Sequence, residues 1–149
     1  MLKRHLNVQA FFDDYAERST DALKNPPVED IDGVVASFAP FFVESSPRGV
    51  MGGENGPDFR KAIPQGFAHY REVGGKAMRI TAVKVTEIDD ANVMATVDWA
   101  FDYVRPKDGE AGTVNFTNRY FLNIVNGKPK IFAYITPDEE KAMQEHGLV

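Results

Sequence analysis

The sequence has no cysteine and only three histidines in 149 residues. Without thiols, the chain has no disulfide, no cysteine nucleophile and no thiolate site for zinc or iron–sulfur clusters. The histidines are His5, His69 and His146, and no HxH or HExxH spacing occurs, so we predict no metal site. Any chemistry must therefore come from oxygen and amide side chains, and we expect no cofactor.

Positive charge and long apolar runs are also scarce. The chain has 17 Lys and Arg against 22 Asp and Glu, a formal net charge of −5, which argues against a nucleic-acid or anionic-membrane partner. No run of about 18 apolar residues predicts a membrane span, and the first residues lack the apolar core of a signal peptide. We expect no membrane contact and a cytoplasmic location. The length fits a single domain over 1–149.

The spacing of apolar residues changes halfway along the chain. Spacings of three and four predict three helices in the first half, the second ending near Phe38, followed by a short strand at 41–46. The glycine-rich segment 49–56 lacks the GK[ST] of a phosphate loop and is predicted to be a flexible lid. A period of two then predicts a meander with strands at 78–88, 93–103, 113–125 and 129–136, before a short C-terminal helix. This order predicts an α+β fold, with helices packed on one face of an antiparallel sheet.

The Asn126-Gly127 turn allows the last two strands to be paired residue by residue. It is a strong hairpin signal, and it sets Val125 opposite Lys128. Counting back from the turn places Asn118, Tyr120 and the aliphatic residues around them on one face, which we predict lies under the helices. Trp99, in the preceding strand, is expected near Asn118.

The same count gives the other face of this hairpin an aromatic cluster. Phe121 is paired with Phe132, and Arg119 with Tyr134, so the three aromatic rings share this outer face. Such a cluster is typical of an interface. Two explanations remain open: a homodimer contact through Phe121, Phe132 and Tyr134, or a cover formed by the C-terminal helix or the glycine-rich segment.

Two stretches resemble the nuclear transport factor 2-like superfamily. FAPFFVESSPRG at 38–49 is similar to the family's passage from helix two through the first strand, and NRYFLNIVNGKPKIFAY at 118–134 to its closing hairpin. The superfamily includes ketosteroid isomerases, scytalone dehydratase, limonene epoxide hydrolase and SnoaL-like polyketide cyclases. The resemblance implies a cone-shaped, cystatin-like curved antiparallel sheet with three N-terminal helices on its concave face. It also implies a cavity for a small hydrophobic molecule.

The ketosteroid isomerases suggest roles for particular residues. In those enzymes a helix-one tyrosine and a protonated aspartic acid on the sheet donate hydrogen bonds to an enolate, while a second aspartate moves the proton. Tyr15 matches the tyrosine, and Asn118 falls at or next to the sheet aspartic acid. Ser46 stands where the proton-moving aspartate would be. Since serine is a poor base, steroid-type isomerisation is disfavoured, and Tyr15 and Asn118 remain the candidate catalytic residues.

Other residues are expected to line the implied cavity. The candidate ligand-binding residues are Phe38, Phe42, Ser46, Trp99 and Tyr120. Glu44 shares a strand face with Phe42 and Ser46, so it either lies at the cavity mouth or is solvated. Arg48 either clamps an anionic ligand or is an ordinary surface arginine.

Two classes of function follow from this site. The first is binding of a small hydrophobic molecule, with cofactor-free cyclase, isomerase or dehydratase chemistry. The second is a non-catalytic ligand-binding module or a dimeric protein-interaction module, which the missing base favours.

Overall fold

The computed structural model describes residues 2–149. Its four helices are α1 (Leu2–Asp21), α2 (Ile31–Ala36), α3 (Pro57–Glu72) and α4 (Glu139–Glu145). Its six strands are β1 (Phe38–Ser46), β2 (Gly49–Glu54), β3 (Gly75–Glu87), β4 (Asn92–Val104), β5 (Ala111–Val125) and β6 (Lys128–Ile135). The strands form one curved, open sheet in the order β2-β1-β6-β5-β4-β3. The predicted α+β class, with the N-terminal helices on the concave face, is confirmed.

One strand pair departs from the predicted antiparallel sheet. All neighbours run antiparallel except β1 and β6, which are parallel. The reason is topological, because β1 precedes α3 while the meander begins at the far edge of the sheet. The chain returns to β1 only with its last strand, which runs in the same direction.

The main core lies between α1 and the concave face of the central strands. The helix presents Val8 and Phe12, four residues apart and therefore on one face, and both are fully buried. They pack with buried residues of β4, β5 and β6, among them Trp99, Leu122 and Ile131. This packing fixes the height of α1 above the sheet and so the depth of the space beside it.

A β-bulge corrects the predicted register of the last hairpin. The pairs nearest the turn are as predicted, but between Leu122 and Phe121 the register shifts by one residue. Phe121 then pairs with Ala133, and Tyr120 with Tyr134. Since a shift of one residue reverses the face of every later side chain, Tyr134 turns inward. The prediction that Tyr134 shares the outer face is therefore wrong, whereas Phe121 and Phe132 stay together there, with ring centroids 6.2 Å apart.

The glycine-rich segment is a strand, so the predicted flexible lid is wrong. Residues Gly49–Glu54 form β2, which pairs with β1 along the open edge of the sheet. At Gly52 a Cβ would lie 2.3 Å from the carbonyl oxygen of Phe42, so glycine here permits close strand pairing. The second helix likewise ends earlier than predicted, at Ala36, and Phe38 already begins β1. No helix within residues 2–149 is long and apolar enough to cross a membrane.

Candidate functional site: an aromatic cavity

A cavity of about 340 Å³ lies between α1, α3 and α4 and the concave face of the sheet. Its volume is within the range of small-molecule sites. Its aromatic lining consists of Tyr15, Phe67, Tyr70, Trp99, Phe101, Phe116, Tyr120 and Tyr134. The rest of the wall is Ser19, Leu23, Glu44, Met78, Val114, Asn118, Thr136, Pro137, Glu139, Ala142 and Met143. The cavity is thus mainly apolar, with a few polar groups at two places, which we call the closed end and the mouth.

The closed end, formed by Tyr15, Trp99, Asn118 and Tyr120, centres on the hydroxyl of Tyr120. Trp99 donates Nε1–H to this oxygen at 3.1 Å, and Asn118 donates from Nδ2 at 3.0 Å. Burial raises the pKa of Tyr120 to about 12, while these two hydrogen bonds act in the opposite direction. The phenol therefore keeps its proton at neutral pH, and its O–H can donate a hydrogen bond to a ligand. The prediction that Trp99 lies near Asn118 is confirmed, with Tyr120 between them.

Asn118 has one amide atom without a partner. The residue is only 9% exposed, and its Oδ1 is buried with no hydrogen bond among residues 2–149. Turning the amide over would offer Oδ1 to the Tyr120 hydroxyl and leave Nδ2 unpaired instead. An unpaired buried polar atom costs roughly 1–3 kcal/mol. Asn118 therefore positions the Tyr120 hydroxyl, and its other amide atom stays buried without a partner.

Tyr15 completes the closed end from the helix side. Its ring centroid lies 5.9 Å from that of Trp99 and 6.2 Å from that of Tyr120. Burial, followed by the neighbouring phenols, raises the pKa of Tyr15. Within residues 2–149 the Tyr15 hydroxyl makes no hydrogen bond, while the Ser19 hydroxyl donates to the Tyr15 backbone carbonyl. The hydroxyls of Tyr15 and Tyr120 therefore each keep a proton that no side chain within residues 2–149 accepts.

The mouth, formed by Glu44, Tyr70, Tyr134 and Glu139, carries two carboxylates. Glu44 faces the cavity and accepts a hydrogen bond from the Tyr134 hydroxyl at 3.0 Å, so the cavity alternative for Glu44 is the correct one. Glu139 of α4 accepts from the Tyr70 hydroxyl. Burial first, and then the adjacent carboxylate, raises the pKa of each tyrosine. Among residues 2–149, neither glutamate has a lysine or arginine partner within salt-bridge distance.

Three of the predicted ligand-binding residues lie outside this cavity. Phe38 and Phe42 pack against each other with ring centroids 4.6 Å apart, beside the cavity and against Phe59. Ser46 lies in an open groove beyond the mouth, which we call the vestibule, where its Oγ accepts from the backbone N–H of Arg48 at 3.2 Å. The inward face of β1 lines the cavity only as far as Glu44, because Ser46 is next to the turn that leads to β2.

Arg48, His69, Asp138 and Glu140 line the same vestibule. Arg48 forms an ion pair with Glu140, which supports the surface alternative for this arginine. Within the described part of the chain, no group of three or more His, Asp or Glu side chains is placed to hold a metal ion.

Sequence reasoning did not place Glu139 in the cavity, and it placed Tyr70 only on the apolar face of its helix. Tyr70 continues the apolar stripe that Phe59, Ile63 and Phe67 form on α3. This spacing predicts that its side chain points inward, as the spacing on α1 does for Tyr15. Glu139 begins a helix whose docking over the cavity depends on tertiary contacts alone. The position of Glu139 at the cavity therefore follows from the packing of α4 and not from the local sequence.

Solved structures with the same fold come from several bacteria. A nuclear transport factor 2-like protein from Novosphingobium aromaticivorans, with a cystatin-like fold, superposes with a TM-score of 0.67 at 12% identity, over 99% of this chain and 90% of that one. A nuclear transport factor 2-like superfamily protein from Salmonella enterica gives 0.63 at 16% identity, over 93% of each chain. A ketosteroid isomerase-like protein from Erwinia carotovora gives 0.58 at 14%, over 89% and 91%.

These likenesses confirm the resemblance seen in the sequence at the level of fold. The chain has the nuclear transport factor 2-like, cystatin-like fold along nearly its whole length. No protein-family model matches the chain, and no curated protein is significantly similar to it. Function must therefore be argued from the residues of the cavity.

Proposed function

We propose that this protein binds a small hydrophobic carbonyl compound in the cavity and moves a proton next to the carbonyl group, without a cofactor. The observation that carries the proposal is that one cavity holds both Tyr120, whose oxygen accepts two hydrogen bonds, and a carboxylate, Glu44. The ligand oxygen accepts hydrogen bonds from Tyr120 and Tyr15. Glu44 takes a proton from the neighbouring carbon, and the two hydroxyls stabilise the charge that forms on oxygen.

Tyr120 is suited to this role by its two hydrogen bonds. Because Trp99 and Asn118 both donate to its oxygen, the Tyr120 O–H becomes a better donor and its direction is fixed. The same bonds stabilise the phenol as its proton is drawn toward the ligand. Asn118 is therefore proposed as a positioning residue, and Tyr120 and Tyr15 as the catalytic donors.

Glu44 supplies the base that the serine at position 46 does not. Tyr134 stacks on Tyr120 with ring centroids 6.0 Å apart and planes 19° apart, and its hydroxyl reaches Glu44. Glu44 is therefore linked to the Tyr120 ring through Tyr134, and a carbonyl with its neighbouring carbon is proposed to lie between the two groups. After accepting the proton, Glu44 returns it to another carbon in an isomerisation or assists departure of water in a dehydration.

Deuterium exchange tests the proposal without knowledge of the natural substrate. β-Tetralone, a neutral ketone of suitable size, is incubated in heavy water, and loss of the protons next to the carbonyl is followed by NMR. We expect Glu44→Gln and Tyr120→Phe each to lower the enzyme-dependent rate by about 100-fold or more. Ser46→Ala, in the vestibule, is the matched control and is expected to keep it. Exchange no faster than in buffer would overturn the catalytic step and favour the non-catalytic binding module.

We also propose a second copy of this chain as partner for the outer face of the sheet. Phe121 and Phe132 are joined there by Val43, which pairs with Ala133, and by Phe41, which is 67% exposed. A continuous apolar surface of this kind favours a two-fold interface. Analytical ultracentrifugation is expected to show a dimer that Phe132→Glu converts to a monomer. A wild-type monomer at micromolar concentration would contradict this.

A further inference from the structure

The charged groups of the cavity wall are all negative. Glu44 and Glu139 face the cavity, and no lysine, arginine or histidine lines it in the part of the chain that the structure describes. Arg18 of α1 lies in a side groove between α1 and α3, with its Nε 3.5 Å from Asp30. The two carboxylates therefore face an apolar space without a compensating charge.

The vestibule does not supply that charge. It contributes two more carboxylates, Asp138 and Glu140, against one arginine and one histidine. The arginine, Arg48, is engaged by Glu140. A ligand that approaches the mouth therefore meets an acidic surface, which attracts cations and repels anions.

The aromatic rings at the mouth are also arranged to hold a cation. The hydroxyls of Tyr70 and Tyr134 are turned to the carboxylates, so each ring is fixed beside a negative charge. The Tyr70 ring lies 5.8 Å from Phe101, which extends the aromatic wall inward. Ring faces attract ammonium groups, and more strongly where water is excluded.

An independent observation at the other end shows that the cavity is built for an occupant. Asn118, a residue that is nine-tenths buried and has one unpaired amide atom, lines the same space. A polar group of a ligand that reaches the closed end would meet it. An occupant that reached from the mouth to the sheet would place its apolar body against Trp99 and Phe116.

We infer that the carbonyl compound of the proposed function is also a cation, because it carries an amine that is protonated at neutral pH. Its ammonium group lies at the mouth against Glu139 and the ring faces of Tyr70 and Tyr134. This inference rests on the proposed function and is compatible with it, because the ammonium group pairs with Glu139, which lies on the exposed helix α4. Glu44, on the half-buried strand, stays free to accept a proton.

Trp99 provides the measurement, since it is the single tryptophan and lines the cavity. Its fluorescence is titrated with phenylbutylamine, phenylbutanol and phenylbutanoate, which differ in the charge of one end. We expect the amine to bind about ten-fold or more tightly than the alcohol, and the carboxylate to bind weakest. Glu139→Gln is expected to bring the amine within about three-fold of the alcohol. Glu145→Gln, with the same charge change on the exposed side of α4, should leave the ratio unchanged.

The outcomes separate this inference from the proposed function. Equal affinity for the three compounds, or tightest binding of the carboxylate, overturns the cationic ligand but leaves the cavity as a binding site. A preference for the amine that survives both Glu139→Gln and Glu44→Gln also overturns it. Binding of none of the three also overturns the cationic ligand, whereas the proton transfer of the proposed function is judged separately with the neutral ketone β-tetralone. Circular dichroism verifies that each variant is folded.

Discussion

The closed end and the mouth of the cavity are built from different parts of the molecule. Trp99 and Tyr120 of the closed end lie on central strands, are almost fully buried and are hydrogen-bonded to each other. The mouth comes from β1, β6 and the helices α3 and α4, and its carboxylates are half-buried or exposed. The comparison indicates that the closed end contributes to the stability of the fold, while the mouth is free to serve recognition.

Two stacked tyrosines show the contrast within one contact. Tyr120 and Tyr134 face each other across β5 and β6, yet the first accepts two hydrogen bonds in the core and the second donates one to a carboxylate at the edge. Removing the oxygen from either ring is the same chemical change. Its consequences should differ, because only the core oxygen has partners that water does not readily replace.

The largest expected effect is loss of packing beneath the closed end. Phe12 is fully buried and lies 4.9 Å from the Tyr120 ring, so Phe12→Ala should lower the free energy of unfolding by about 3–5 kcal/mol. Phe67→Ala, at a half-buried ring of α3 beside open space, should cost less. Urea unfolding followed by Trp99 fluorescence measures both. Equal losses would show that the two sides of the cavity are packed alike.

A smaller effect is expected from the paired tyrosines. Tyr120→Phe leaves Nε1–H of Trp99 and Nδ2 of Asn118 without their acceptor, which should cost about 1–3 kcal/mol. Tyr134→Phe frees a Glu44 oxygen that water can reach, so we expect a loss below about 1 kcal/mol. Both are read from urea unfolding at neutral pH. If Tyr134→Phe were the more destabilising variant, the assignment of stability to the closed end would be wrong.

Much of the closed end could be predicted because periodic patterns determine it. The helical spacing put Tyr15 on the buried face of α1, and alternation from the Asn126-Gly127 turn put Asn118 and Tyr120 inward. These residues belong to long, regular elements. A local pattern is sufficient where neighbouring turns of a helix or strand all obey it.

The mouth could not be predicted in the same way, because each of its parts depends on contacts distant in sequence. The inward turn of Tyr134 follows from a bulge in β6, between the parallel strand β1 and the antiparallel strand β5. Alternation placed Glu44 on a face of β1 but did not indicate what covers that face. Glu139 reaches the cavity only because α4 folds back over it.

The last effect appears only at alkaline pH, as a loss of stability that should be traceable to the closed end. The pKa of Tyr120 is raised from 10.0 to about 12 by burial, so the unfolded chain releases this proton first as the pH rises. The stabilisation is complete below about pH 10 and is lost toward pH 12, at up to about 1.4 kcal/mol per pH unit. Unfolding free energies measured across this range should fall less steeply for Tyr120→Phe.

Since burial and Glu44 also raise the pKa of Tyr134, Tyr134→Phe is the matched comparison for the mouth. An unchanged slope in Tyr120→Phe would mean that its hydroxyl is hydrated, and the closed end would then be as open to water as the mouth.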